Sequence, residues 1–168
     1  MRRRPLSFWL GCLVLAAYAL LALLSSWIAP FDPLLVTGSP LALPGQGHLL
    51  GTNDLGQDTL SQLIPGTRGT LIVVALVTAI STAMSWLAGL AAGIFRSWEA
   101  VPMPIADLVL ALPSLPLYLL ILTLAGSNRV TLILTLAGTS WPTFAKIVRS
   151  IVLTTRSAPY VEASSALG

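Results

Sequence analysis

The chain has 168 residues, of which 55% are hydrophobic and only 9% are charged. Ordinary soluble domains carry roughly 25% charged residues, so this chain has too few to cover a globule of its size with solvated groups. The composition excludes a soluble enzyme, a disordered tail and a nucleic-acid-binding protein. A single cysteine, Cys12, excludes an internal disulfide and a cysteine-based zinc cluster, and a single histidine argues against a histidine-based metal site.

Four long stretches without charged residues predict four membrane-spanning helices. A bilayer core of about 30 Å needs about 20 apolar helical residues, and spans must be helical because lipid offers free backbone groups no partner. The stretches cover residues 6–29, 70–95, 108–127 and 130–145. The last one can be extended past Lys146 to Leu153. The sequence therefore predicts an all-α, polytopic helical membrane protein.

The first stretch has two interpretations. Arg2 to Arg4 followed by an apolar run is typical of a cleaved secretory signal peptide. The run is longer than such peptides usually have, and bulky Trp27 occupies the first position of the candidate cleavage site Trp27–Ile28–Ala29. Trp9–Leu10–Gly11–Cys12 resembles a lipoprotein cleavage site, but the apolar run before Cys12 is too short for one. An uncleaved membrane anchor is therefore the favoured interpretation.

The positions of the cations favour a cytoplasmic N-terminus, because cytoplasmic segments carry an excess of lysine and arginine. In this orientation only Arg68 and Arg129 lie outside the cell. The cytoplasmic cations are Arg2, Arg3, Arg4, Arg96, Lys146, Arg149 and Arg156. The predicted organisation is a cytoplasmic tail and first helix (1–29), an extracytoplasmic loop (30–68), core helices two to four (69–155) and a cytoplasmic segment (156–168).

The outer loop is predicted to be irregular at first and helical at its end. Prolines and glycines forbid a regular helix in its first half. Further on, Thr52 or Asn53 is expected to cap a short amphipathic helix that begins near Asp54.

Asp54 and Asp58, four residues apart, have a functional and a structural interpretation. They could form a cation site or a paired-carboxylate active site. Two carboxylates without a third acidic or histidine neighbour make a poor metal site, so charges at a helix start, together with turn chemistry, are favoured. His48 is predicted to be a hydrogen-bonded structural residue.

The second predicted helix has a face of small residues. Ser81, Ser85, Gly89 and Gly93 recur every four residues and predict a small-residue face on which another helix, of this chain or of a partner, can pack closely.

Interior prolines predict helix kinks at Pro113, Pro116 and Pro142. Kinked spans can line a transport pathway or be tolerated through packing with neighbouring helices, and the sequence does not choose between these. Asp107, near the inner end of the third span, could face a pore or lie among the lipid headgroups.

Five segments occur in the order and spacing of one known family. They are Phe31–Asp32–Pro33, residues 48–71, Leu110–Ala111–Leu112–Pro113–Ser114, Ser140–Trp141–Pro142 and residues 156–168. Together they resemble the permease subunits of binding-protein-dependent ABC importers for dipeptides, oligopeptides and nickel, specifically the second, C-type subunit. Residues 156–168 resemble the start of the EAA loop of these permeases.

The resemblance implies a multi-pass permease subunit in a bacterial or archaeal cytoplasmic membrane, surrounded by lipid. It would work with a homologous permease subunit, two cytoplasmic ATPase subunits and an extracytoplasmic solute-binding protein. The EAA loop would form a coupling helix in a groove of the ATPase, with apolar contacts from Tyr160, Ala163 and Leu167, a polar contact from Glu162, and Gly168 ending the helix. Since the sequence has no P-loop, the chain is expected to be neither an enzyme nor a cofactor-binding protein.

Departures from the family pattern accompany this resemblance. Gln57 and Gln62 stand where arginine is usual, and Pro65 stands where an aromatic residue is usual. Ser164 and Ser165 replace what is typically an alanine and a basic residue. Family members have six spans and about twice this domain size. We therefore expect the chain to be a fragment, a truncated reading frame or a degenerate copy. Its helices would then form only part of the six-helix core.

Other classes of protein remain as alternatives. A truncated, non-transporting membrane protein, either a remnant or an assembly partner, would explain the absence of the last two spans. A channel would need polar rings along the spans, which offer few. A membrane-embedded enzyme is disfavoured because no span clusters histidine, acidic residues or cysteine.

Overall fold

A computed structural model describes residues 6–28, 30–45, 47–159 and 161. The helices are α1 (Leu6–Leu23), α2 (Ser25–Ile28), α3 (Thr59–Ile94), a 3-10 turn (Arg96–Trp98), α4 (Pro102–Ala111), α5 (Ser114–Ala125) and α6 (Arg129–Arg156). Within these described ranges the only β-structure is a pair of isolated bridges, so the all-α prediction is confirmed. The chain divides into two compact units, Met1–Val74 and Ala75–Gly168.

In the first unit, α1 is apolar around its whole circumference. Of its described residues only Ala22 is buried, while large side chains such as Trp9 and Leu15 are well exposed. A helix that is apolar on all sides needs an apolar environment. This exposure suits a helix surrounded by lipid.

The loop between α2 and α3 is irregular, and the helix start predicted near Asp54 is wrong. Asn53 does not cap a helix: its side-chain oxygen accepts hydrogen bonds from the backbone N–H groups of Leu55 and Gln57 at 2.9 Å, which is an Asx-turn. Gly56 follows with a φ of +75°, a left-handed conformation that interrupts any helix. Helix α3 therefore begins at Thr59, and the separate short amphipathic helix does not form.

The second unit has a small core made by α3, α4 and α6. The buried residues at its centre are Ala92, Met103, Ala106, Trp141 and Ala145. Three alanines among five residues let the helix backbones approach closely, as is common between membrane helices. Most of the large apolar side chains of this unit are exposed.

The third predicted span is two helices rather than one kinked helix. Helices α4 and α5 meet at an angle of 98° across Leu112 and Pro113, which both have extended backbone conformations. A proline disfavours helical geometry in the residue before it and lacks an N–H group, which explains a break at this point. Pro116 lies in the first turn of α5, where a proline costs no hydrogen bond, and Pro142 lies inside α6.

Two helices, α1 and α3, are long and apolar enough to cross a membrane, and the bent pair α4–α5 makes a third if it counts as one span. Helix α6 holds the fourth predicted span but is not among these candidates. Its several threonines and its cations make it less apolar than α1 and α3. The count of four spans and the cytoplasmic N-terminus stay predictions.

Candidate functional site

The small-residue face of α3 lies against α6 in the second unit. Ser81 and Ser85 are buried, and the Ser85 side chain is only 1% exposed. Its hydroxyl oxygen lies 2.6 Å from the carbonyl oxygen of Ser81, one turn earlier, and 2.9 Å from the carbonyl oxygen of Trp141 in α6. The hydroxyl therefore links the two helix backbones directly.

Two glycines set the closeness of this contact. A Cβ atom at Gly89 would lie 2.7 Å from both the carbonyl oxygen of Ala145 and the Cβ of Val148. A Cβ at Gly93 would lie 2.7 Å from the Cβ of Val152. Real Cβ atoms do not approach other atoms so closely, so only glycine fits at both positions without displacement of α6.

Two ion pairs connect α6 to α4 and to the turn that precedes α4. Lys146 donates a hydrogen bond to the carboxylate of Asp107 in α4. One turn further along α6, Arg149 donates to the carboxylate of Glu99. Sequence reasoning placed Asp107 near a pore or among headgroups and missed both partnerships, since the paired residues lie 39 and 50 positions apart.

A buried polar cluster fixes the start of α3 in the first unit. Asp58, 1% exposed, accepts hydrogen bonds through Oδ2 from the backbone N–H and the hydroxyl of Ser61, at 2.8 and 2.7 Å. Its Oδ1 lies 2.9 Å from Nδ1 of His48, and the Ser61 hydroxyl accepts a bond from the backbone N–H of Phe31. Asp58 is thus the N-cap of α3, and the prediction of a hydrogen-bonded structural histidine is confirmed.

Hydrogen bonding decides the ionisation of Asp58. Burial by itself raises the pKa of this carboxyl group, but the hydrogen bonds from Ser61 and the contact with His48 outweigh it, so that the pKa is lowered below its ordinary value of 3.8. Asp58 is consequently a carboxylate at neutral pH.

The cluster has neither hydrolase nor metal-site geometry. The Ser61 hydroxyl donates to Asp58 rather than to the imidazole of His48, so the imidazole is not placed to act as its base. Asp54 is exposed, whereas Asp58 is buried. In the part of the chain that the structure describes, no three metal-ligating side chains come together. As the N-cap of α3, Asp58 is the charge at a helix start that the favoured interpretation describes.

Gln57 and Gln62, two of the departures from the resembled family pattern near the start of α3, form a cluster of side-chain amides. Their side-chain amides meet, with Gln62 donating to the Gln57 oxygen at 2.6 Å, and Asn53 donates to both. Gln57 and Gln62 also donate to the carbonyl oxygens of Leu34 and Pro33. This uncharged amide cluster fastens the start of the loop to the start of α3.

The predicted ATPase-coupling residues lie outside the described residues. They are Tyr160, Glu162, Ala163, Leu167 and Gly168. Helix α6 ends at Arg156, with Ser157 as the C-cap residue. The predicted coupling segment therefore follows directly from the helix that α3 and α4 hold.

Known proteins match this chain over most of its length. The family described as the binding-protein-dependent transport system inner membrane component matches residues 81–168, more than half of the chain. The chain is 35% identical to a di/tripeptide transport system permease of Pseudomonas aeruginosa, over 94% of this chain and 55% of that protein. It is 32% identical to a nickel transport system permease of Escherichia coli, over 95% of this chain and 58% of that protein.

A dipeptide transport system permease of Haemophilus influenzae is 28% identical over 95% of this chain and 57% of that relative. The chain thus spans little more than half the length of these curated relatives. The matches nevertheless cover the loop, the cluster at the start of α3 and the contact of α3 with α6. Family and relatives agree with the resemblance given by the five sequence segments, and the chain belongs to the binding-protein-dependent transport system inner membrane components.

Proposed function

We propose that the chain is a transmembrane permease subunit of an ATP-binding-cassette importer for peptides or a similar small solute. It would reside as a multi-pass protein in the cytoplasmic membrane of a bacterium or archaeon. Two separate cytoplasmic ATPase subunits would hydrolyse ATP, and a homologous permease subunit and an extracytoplasmic solute-binding protein would complete the assembly. Nickel is the second candidate solute, because one relative bears the name of a nickel permease.

The observation that carries this proposal is the packing of α6 against α3 and its ion pairs with the α4 region. The helix runs for 28 residues to Arg156, where the segment resembling the EAA loop begins. It lies in near-backbone contact with α3 at Gly89 and Gly93 and is paired to the α4 region through Lys146 and Arg149. Packed helices move as units rather than deforming continuously, so a displacement at the end of α6 would carry α3 and α4 with it.

The charges of α6 support the proposed orientation. Lys146, Arg149 and Arg156 all lie in its second half, and cytoplasmic ends of spans are rich in such residues. The outer loop, with its amide cluster and the Asp58 cap, would then face the solute-binding protein or the partner permease subunit.

Reconstitution tests the proposal. A full-length permease that carries these residues would be produced together with the homologous permease subunit, the ATPase subunits and the solute-binding protein of a peptide importer. We expect the ATPase to copurify with this permease, and proteoliposomes to take up labelled dipeptide only with ATP, beyond the level of an otherwise identical assembly without it. Copurification without uptake favours the non-transporting alternative, and failure of the ATPase to bind contradicts the proposal.

A further inference from the structure

A polar cavity of about 330 Å³ opens in the second unit where α3 ends beside α6. Its walls are Ala92, Gly93, Glu99, Arg149, Leu153 and Arg156. Two arginines and one glutamate therefore line the cavity, and the lining carries a net positive charge.

The arginines of the cavity retain unused hydrogen-bonding capacity. Arg149 donates to Glu99 through Nη2, but its Nε–H is buried and has no hydrogen-bond acceptor among the described residues. Arg156 donates through Nη1 to the carbonyl oxygen of Ile94, the last residue of α3, at 3.3 Å. The Nε atom itself is enclosed, but the Arg149 side chain as a whole is 30% exposed, so an oxyanion in the cavity can approach the charged side chain.

An apolar groove meets the cavity at Arg156. The groove has a volume of about 520 Å³ and is lined by Ile94, Ile151, Val152, Thr155, Arg156 and Val161. A charged recess that continues into an apolar groove matches a molecule with an anionic head and a hydrocarbon tail. The planar guanidinium group bonds phosphate oxygens in pairs, and basic pockets between membrane helices on the cytoplasmic side suit lipid headgroups.

We propose that this cavity binds the phosphate of an anionic phospholipid, with Arg149 and Arg156 as its ligands and the adjoining groove holding part of an acyl chain. The Glu99 carboxylate holds one edge of the Arg149 guanidinium in place. The site rests on the proposed membrane location of this end of α6, but it does not depend on transport.

Native mass spectrometry of the purified full chain tests the site, with phosphatidylglycerol, phosphatidylcholine and inorganic phosphate as probes. We expect phosphatidylglycerol to be retained in preference to phosphatidylcholine. We expect Arg156→Gln to lower this retention about fivefold, the effect of one basic residue near an anionic lipid. Arg129→Gln, at the opposite end of α6 and outside the cavity, is the matched control and should retain the lipid as the unaltered chain does.

Three outcomes would overturn the assignment. They are equal retention of the two lipids, an equal loss in Arg156→Gln and Arg129→Gln, and displacement of phosphatidylglycerol by inorganic phosphate, which would identify a site for the free anion. A second measurement needs no variant: phosphatidylglycerol should raise the melting temperature of the unaltered chain more than phosphatidylcholine does. These readouts do not involve uptake, so failure of the lipid site and failure of the proposed transport function are distinguishable.

Discussion

The hydroxyl oxygen of Ser85 lies 2.9 Å from the backbone carbonyl oxygen of Trp141, a contact between residues 56 positions apart. A side-chain hydroxyl can reach the backbone of a neighbouring helix only where the helices are very close. Gly89 and Gly93 continue that proximity along α3 towards its end. The contact of α3 with α6 is therefore a continuous seam, and its residues are the first to test.

Gly89→Ala should destabilise the second unit. The added methyl group would lie 2.7 Å from the Ala145 carbonyl oxygen, and overpacking of this kind typically costs about 1–3 kcal/mol. Thermal unfolding in detergent, followed by circular dichroism, measures the effect. Gly138→Ala in α6 is the matched control, because a Cβ there meets nothing within 4 Å and alanine favours the helix by roughly 0.5–1 kcal/mol. Equal melting temperatures for both variants would contradict the seam.

The ionised Asp58 cap should make the stability of the first unit depend on pH in acid. The pKa of Asp58 is lowered on folding, so its stabilisation is complete above the ordinary value of 3.8 and is lost as the pH falls through the lowered pKa. Asp58→Asn keeps a capping side chain but removes the charge, so its stability should change less with pH in this range.

Thermal unfolding at a series of pH values would measure this dependence. The series should extend down to about pH 2, which lies below the ordinary pKa of a carboxyl group. Asp54→Asn, which removes an exposed carboxylate from the same loop, should retain the acid dependence of the unaltered chain. If Asp58→Asn retains it as well, other carboxylates are responsible and the prediction is wrong.

Several features of the fold follow from local sequence patterns, and others depend on distant contacts. The four-residue period of Ser81, Ser85, Gly89 and Gly93 indicates a close-packing face, because the period belongs to one helix. The identity of the facing helix does not follow, since Trp141 and Val148 carry no mark of their partner. The wrong helix start has a local cause: Asn53 and Gly56 form a turn that competes with the helix, and the buried pairing of Asp58 with His48 favours the later cap.

The break between α4 and α5 could also be predicted only in part from the local sequence. Pro113 predicts an interruption because it removes a backbone donor. It does not predict an angle of 98°, which depends on how each short helix packs on α6. The ion pairs of Lys146 and Arg149 could not be predicted from the sequence either, because the sequence does not specify which oppositely charged residues come into contact.

The exposed pair of Lys146 and Asp107 should contribute little to stability. The two side chains are 41% and 65% exposed, and such pairs are typically worth about 0.2–1 kcal/mol. A double-mutant cycle with Lys146→Gln and Asp107→Asn, followed by thermal unfolding at low and high salt, measures the coupling. We expect a small coupling energy that falls further at high salt. A coupling well above this range would show that the pair is shielded from water in the membrane.

Substitution of Glu162 and Gly168 should uncouple ATP hydrolysis from uptake in the assembled importer with a full-length permease. The family resemblance implies that Glu162 would make the polar contact of the coupling helix with the ATPase and that Gly168 would end that helix. The double variant Glu162→Gln, Gly168→Ala should therefore reduce ATP-dependent dipeptide uptake severalfold while the ATPase continues to hydrolyse ATP, since the catalytic chain is unaltered. Both rates are measured in the same proteoliposomes, with Ser165→Ala as the control within the segment. Unchanged uptake by the double variant would contradict the coupling role, because α6 would then transmit no motion through these residues.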